Sequence, residues 1–146
     1  MSAFDFKTIV VKGDGIRKEG MLSATSTDIT PGMFVDRTGH NFSTVSAAAA
    51  GAVARTIAEE AEVWGTDIDE DYDTEGERVL YRACHSGMEC FCLLAAGQNV
   101  AAGASLEVAL GGALTAVVAA TPVAIAMEAV DNSAGADAIR ILVEIL

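Results

Sequence analysis

The sequence predicts an all-β fold, a sandwich or barrel of short strands, and three observations carry that prediction. Apolar runs recur down the chain between short breaks at Gly97, Gly103, Gly111-Gly112 and Asn132-Ser133. The apolar share is 51% but the aromatic share only 5%, so Ala, Val, Leu and Ile carry the packing. Two such runs, Arg78–Cys84 and Glu89–Leu94, flank the glycine-containing stretch His85-Ser86-Gly87-Met88 and read as a β-hairpin.

Taken in order, Phe4 to Lys12 alternates and is rich in aromatic and β-branched residues, which predicts a strand or extended arm. Gly13-Asp14-Gly15 is a turn signal. From Ile16 to Thr30 the Ser and Thr content favours extended chain over helix. Pro31-Gly32 turns the chain into a short strand at Met33-Phe34-Val35, closed by Asp36-Arg37-Thr38-Gly39. Residues 46–63 are ambiguous: Ala and Glu argue for helix, whereas Gly51 and the alternation of Val53, Arg55 and Ile57 argue for strand from Val53 onward. A helical turn is expected at Thr66–Tyr72. Further strands are expected at Ser105–Leu110, Leu114–Val118, Val123–Ala129 and Ile139–Ile145.

At 146 residues the chain has the length of one domain. Ala and Gly fill little volume, so a modest core is expected to be supplemented by association with copies of itself or with a partner. The formal charge of −12 is unevenly placed. Up to Arg37 the bases Lys7, Lys12, Arg17, Lys18 and Arg37 balance Asp5, Asp14, Glu19, Asp28 and Asp36, so the whole net charge falls on the remainder. That body would repel nucleic acid. The balanced N-terminal part suits contact with another surface, and Phe4, Phe6, Ile9 and Val11 are the expected apolar anchors on a partner. The N-terminus lacks the pattern of a signal peptide, the longest apolar run after Thr115 is too short to span a bilayer, and three cysteines make an odd set. A soluble protein with free thiols, made in a reducing cytoplasm, is expected.

Few residues offer chemistry. Gly97 to Leu146 hold no His, Cys, Lys, Tyr or Trp. The acidic loop 67–77 fails as an EF-hand in either register: starting at Asp67 puts Tyr72 and Arg78, and starting at Asp69 puts Thr74 and Leu80, where Gly and Glu are needed. A looser cation or glycan site in that loop stands as the alternative to a purely structural role. Cys84, His85, Cys90 and Cys92 lack the spacing of a structural zinc set. On a strand Cys90 and Cys92 share one face with Phe91 opposite, while Cys84 and His85 point apart, which disfavours a nucleophile pair. A biotinyl or lipoyl carrier needs a lysine on a hairpin tip, and the last lysine is Lys18. Neither an enzyme activity, a cofactor nor a metal is expected. Trp64, the single tryptophan, sits beside the acidic loop and is either a core plug, the preferred reading, or an interface anchor.

The order Arg55-Thr56-Ile57-Ala58-Glu59-Glu60, Gly65 to Tyr72, Gly76-Glu77-Arg78-Val79, Leu93 to Val100, Pro122 to Ser133 and Ile139 to Ile145 resembles the capsid decoration, or cement, proteins of tailed double-stranded DNA viruses. The likeness covers roughly residues 50–146 and rests on ordered small motifs. It implies a compact β-barrel head of the β-tulip kind at 51–146, with 1–50 forming an extended N-terminal arm and first strands, all in one structural domain. It further implies a non-enzymatic homotrimer on the outer surface of a virion, bound to the major capsid protein and stabilising the shell, with no nucleic-acid or membrane partner. The family has no catalytic residues to transfer.

Overall fold

The computed structural model describes residues 8–24, 28–39, 43–65 and 67–146. The chain is all-β, as expected, with two large sheets that each curl around their own core and, among the described residues, a small third sheet of two paired strands, Asn99–Val100 with Val130–Asp131. The first strands are β1 (Val10–Lys12), β2 (Ile16–Leu22), β3 (Val35–Thr38), β4 (Ser43–Ala47) and β5 (Thr56–Ala58). A 3₁₀ turn at Glu62–Trp64 separates these from β6 (Arg78–Ala83). The rest are β7 (Glu89–Leu94), β8 (Asn99–Val100), β9 (Ser105–Val108), β10 (Leu114–Ala116), β11 (Ala124–Ala126), β12 (Val130–Asp131) and β13 (Ile139–Ile145).

One sheet is a closed five-stranded barrel. Its ring runs β7, β10, β9, β11, β13 and back to β7, with β1 laid on the outer edge of β7. The seam between β13 and β7 is the longest, pairing Ile139↔Leu94 through Glu144↔Glu89. Strict alternation builds it: Ile141, Val143 and Ile145 from β13 and Cys90, Cys92 and Leu94 from β7 all point inward and are fully buried. Outside, Glu144 stands opposite Glu89, a like-charge pair relieved by Lys12 of β1, whose ammonium lies 3.4 Å from Glu89. The ring closes more thinly between β10 and β7, through the parallel pair Leu114↔Leu94 and the bond from Ala95 N–H to the Leu114 carbonyl, 2.9 Å.

The other large sheet is a half-barrel in the order β3-β4-β2-β6-β5. Its two edges approach each other, for Phe34, just ahead of β3, bridges Ile57 of β5. The Thr56 hydroxyl also donates to the Val35 carbonyl at 2.6 Å. Leu22, Val35, Val45, Ala58, Tyr72, Val79 and Tyr81 fill this smaller core. Phe34 and Ile57 instead pack into the core of the closed barrel, so the two bodies share a wall.

The expected hairpin at residues 78–94 does not form. Both edges of β6 are taken by β2 and β5, and both edges of β7 by β13 and by β1 with β10. The turn at His85–Met88 therefore carries the chain from the half-barrel into the closed barrel. Gly87 N–H donates to the Ile145 carbonyl at 2.7 Å and Cys84 N–H to the Arg55 carbonyl at 2.8 Å, which anchors the crossing at both ends. Apolar runs on either side of a glycine turn look the same whether the strands pair or part.

Other boundaries moved less. β13 spans the residues expected, and β9, β10 and β11 form inside the expected runs, each shorter. The helical turn comes at Glu62–Trp64 rather than Thr66–Tyr72, stopped by Gly65 in the left-handed conformation. Tyr72 is held instead in a bridge to Ile29. The expected strand 33–35 starts later and runs through Asp36-Arg37-Thr38. The pairing also crosses position 50 freely: β1 joins β7 and β2 joins β6.

Gly112 marks a place where the two bodies touch. It has φ 83°, and a Cβ there would overlap the backbone of Phe34, whose N–H donates to the Gly112 carbonyl at 2.9 Å. Gly112→Ala is expected to cost about 2 kcal/mol or more, from backbone strain plus the overlap. Gly103→Ala, also at positive φ but facing open space, should cost only about 1 kcal/mol. Urea denaturation of both variants measures the difference.

Candidate functional site

Three polar clusters and one concavity stand out once the strands are in place. The first cluster sits where β5 ends. Glu59 is 1% exposed, and its carboxylate accepts from Arg82 Nη2 at 2.7 Å, Arg82 Nε at 2.9 Å and Arg17 Nε at 3.2 Å. Its backbone carbonyl accepts the Tyr72 hydroxyl at 2.6 Å. Burial pushes the Tyr72 phenol above its ordinary value, and the Glu60 and Glu59 charges push the same way. Glu60, also buried, accepts the Ile9 N–H at 3.0 Å and so ties the entry of β1 to the half-barrel.

The second cluster surrounds Arg140 on β13. Its guanidinium donates to Asp69 Oδ1 at 2.8 Å, to the Pro31 carbonyl at 3.2 Å and to the Ile68 carbonyl. Arg140 Nε is buried without a partner among the described residues. The acidic loop is thus pinned to the closed barrel by one cation, and its carboxylates are partly spent on its own backbone: Asp67 accepts the Asp69 N–H at 2.9 Å. Among the described residues no three His, Cys, Asp or Glu side chains converge as metal ligands.

The third cluster lies at the crossing turn. His85 Nε2 is 3.4 Å from Asp14 Oδ1, both exposed. The Ser86 carbonyl and then Asp14 raise the His85 pKa, while the Gly15 N–H and then His85 lower that of Asp14. The cysteines are free thiols. Cys90 and Cys92 share the inner face of β7 as expected, and burial pushes the Cys92 thiol up. Cys90 is pushed up too, by its hydrogen bond to Cys84 and by burial. Neither is a nucleophile at neutral pH.

Of the expected contact residues, Phe4 and Phe6 lie outside the described residues. Ile9 is fully buried in the protein's own core and Val11 is 42% exposed. Trp64 departs from the preferred of its two expected places. It does not fill the core but is 41% exposed at the end of the 3₁₀ turn, with the Arg78 guanidinium 5.7 Å from its ring centroid. Together with Tyr72, Glu77 and Arg78 it lines a concavity of about 430 Å³. Burial and the neighbouring Asp73 raise the Glu77 pKa. Sequence reasoning preferred the core for Trp64 because a lone Trp in an aromatic-poor chain is the obvious core filler, and kept an interface anchor as the other reading.

Two predictions follow from these clusters. Glu59→Ala is expected to cost about 3 kcal/mol, because it strands the half-buried Arg82, whereas Arg17→Ala should cost less than about 1 kcal/mol, since Arg17 is half exposed. Chemical denaturation checks both. The His85–Asp14 pair has a pH window. A raised His pKa adds stability that is present below the ordinary value of 6.5 and lost as pH rises through the folded value. The lowered Asp pKa adds stability present above 3.8 and lost as pH falls through its folded value. Asp14→Asn is expected to bring the His85 pKa back toward 6.5, read from the imidazole protons by NMR.

A comparison with solved structures finds the fold elsewhere. The chain superposes on the N base of head fiber gp8.5 of bacteriophage phi29 with a TM-score of 0.58 and 11% identity, covering 90% of this chain and 93% of that one. No protein-family model and no curated protein sequence matches the chain. At 11% identity the likeness is one of fold.

Proposed function

We propose that this chain is a non-enzymatic structural protein of a bacteriophage head, which binds the outer surface of the shell as a homotrimer and bridges neighbouring copies of the major capsid protein. The observation that carries the reading is the likeness in fold to a head fiber base, spanning nearly all of both chains. The sequence resemblance to decoration proteins points to the same kind of particle on separate grounds. Net charge supports it as well, since a body at −12 repels nucleic acid and so suits a place away from the packaged genome.

Stabilisation would come from linkage. A protein that binds only the assembled lattice lowers its free energy by mass action, and a trimer does so through three contacts at high effective concentration. Individually weak contacts then suffice. The test is co-sedimentation of the purified chain with shells of the virus that encodes it, together with native mass spectrometry. A trimer that pellets with shells and raises their disruption temperature is expected. A monomer with no affinity for shells rejects the reading.

A further inference from the structure

The 3₁₀ turn presents two large apolar side chains in succession, Val63 at 76% and Trp64 at 41% exposure. Met21 on β2, 40% exposed, stands opposite Arg78 in the β2–β6 register and so shares its face of the sheet. The concavity lined by Trp64, Tyr72, Glu77 and Arg78 thus has the indole in its wall and Met21 beside Arg78 at its edge, while Val63 precedes Trp64 on the turn. A chain with one tryptophan, and little aromatic area to spend, leaves it half in water.

The charge around this surface is one-sided. The basic residue lining it, Arg78, lies over the indole and within 3.5 Å of Glu19, so its charge is already matched. Against it stand Glu77 in the concavity and the exposed Asp71, Asp73 and Glu75 on the adjoining loop. Glu77 and Asp73 repel one another, a repulsion that an incoming cation relieves. A neutral sugar would use the indole but leave both carboxylates unmatched, and a polyanion would be repelled. A segment with both a positive charge and an apolar side chain uses the whole surface.

We infer that this concavity is the docking point for a basic, apolar-bearing peptide segment of the shell protein, which sets a Lys or Arg against Glu77 and Asp73 and packs an aliphatic or aromatic side chain on Trp64. The inference rests on the shell-binding reading above and names the surface that does the binding. Tryptophan in a partly formed pocket with a polar surround is the usual anchor of such contacts.

The test uses the full chain and shells stripped of it, with Trp64→Ala, the double variant Asp73→Lys/Glu77→Lys, and Val118→Ala at an 86% exposed position elsewhere as control. Circular dichroism and the denaturation midpoint first establish that each variant folds. Trp64→Ala is expected to weaken shell binding about thirtyfold or more, a loss typical of an anchor residue. Charge reversal should abolish binding, added salt should weaken the wild type, and the control should bind normally. If wild type binds and both site variants bind equally well, docking lies elsewhere and the shell-binding reading survives alone. If wild type fails to bind, both fall. Binding lost in Trp64→Ala, kept on charge reversal and competed by free galactose or N-acetylglucosamine would overturn the peptide in favour of a shell-borne sugar.

Discussion

The architecture depends on two adjacent carboxylates that the fold has taken out of water. Glu59 gathers β2 and β6 through Arg17 and Arg82 and holds the Tyr72 hydroxyl on its carbonyl. Glu60 captures the N–H that leads into β1 of the other body. Burying a carboxylate is costly, and only dense hydrogen bonding to cations and N–H groups makes it tolerable. The doublet fixes geometry more than it adds stability. An apolar pair at these positions would fill the space without dictating which strands meet, whereas each carboxylate must find its particular donors.

The fold class was legible because period-2 alternation and glycine breaks are local signals. Ile139–Ile145 is the clearest case: four β-branched side chains on one face, three of them fully buried, Arg140, Leu142 and Glu144 on the other, and a strand of the expected extent. Pairing partners were not legible. The runs at 78–84 and 89–94 were read correctly as strands, yet their partners lie far along the chain, since β6 belongs with β2 and β7 with β13. Ser43–Ala47 was missed as a strand for a related reason. Its Ser, Thr and Ala residues become a strand by lying parallel to β2, and their own propensity is too weak to announce it.

The candidate site was harder still. The acidic loop drew attention as a charge run, but its organising residue is Arg140, some seventy positions away in the chain and unremarkable in sequence. Composition favoured an inside place for Trp64, whereas the structure leaves it half exposed at the end of the 3₁₀ turn. Composition indicates how much apolar surface a chain must bury. It does not reveal which apolar residue is left over, and that residue is the one available to a partner.

The route of the chain also sets an order on its assembly. All five strands of the half-barrel lie between Ile16 and Ala83, so every strand that body pairs is present in the chain before β7 is made. The closed barrel cannot complete its ring until Ile139–Ile145 arrives to join β7 to β11. During synthesis, β7 must therefore wait with one edge unpaired while some forty further residues are added. Its inner face carries Cys90, Cys92 and Leu94, which makes that interval the stage at which the nascent protein is most open to aggregation and to thiol oxidation. The half-barrel, whose strands all precede β7 and reach it through a short turn, is the nearest surface that could shelter it.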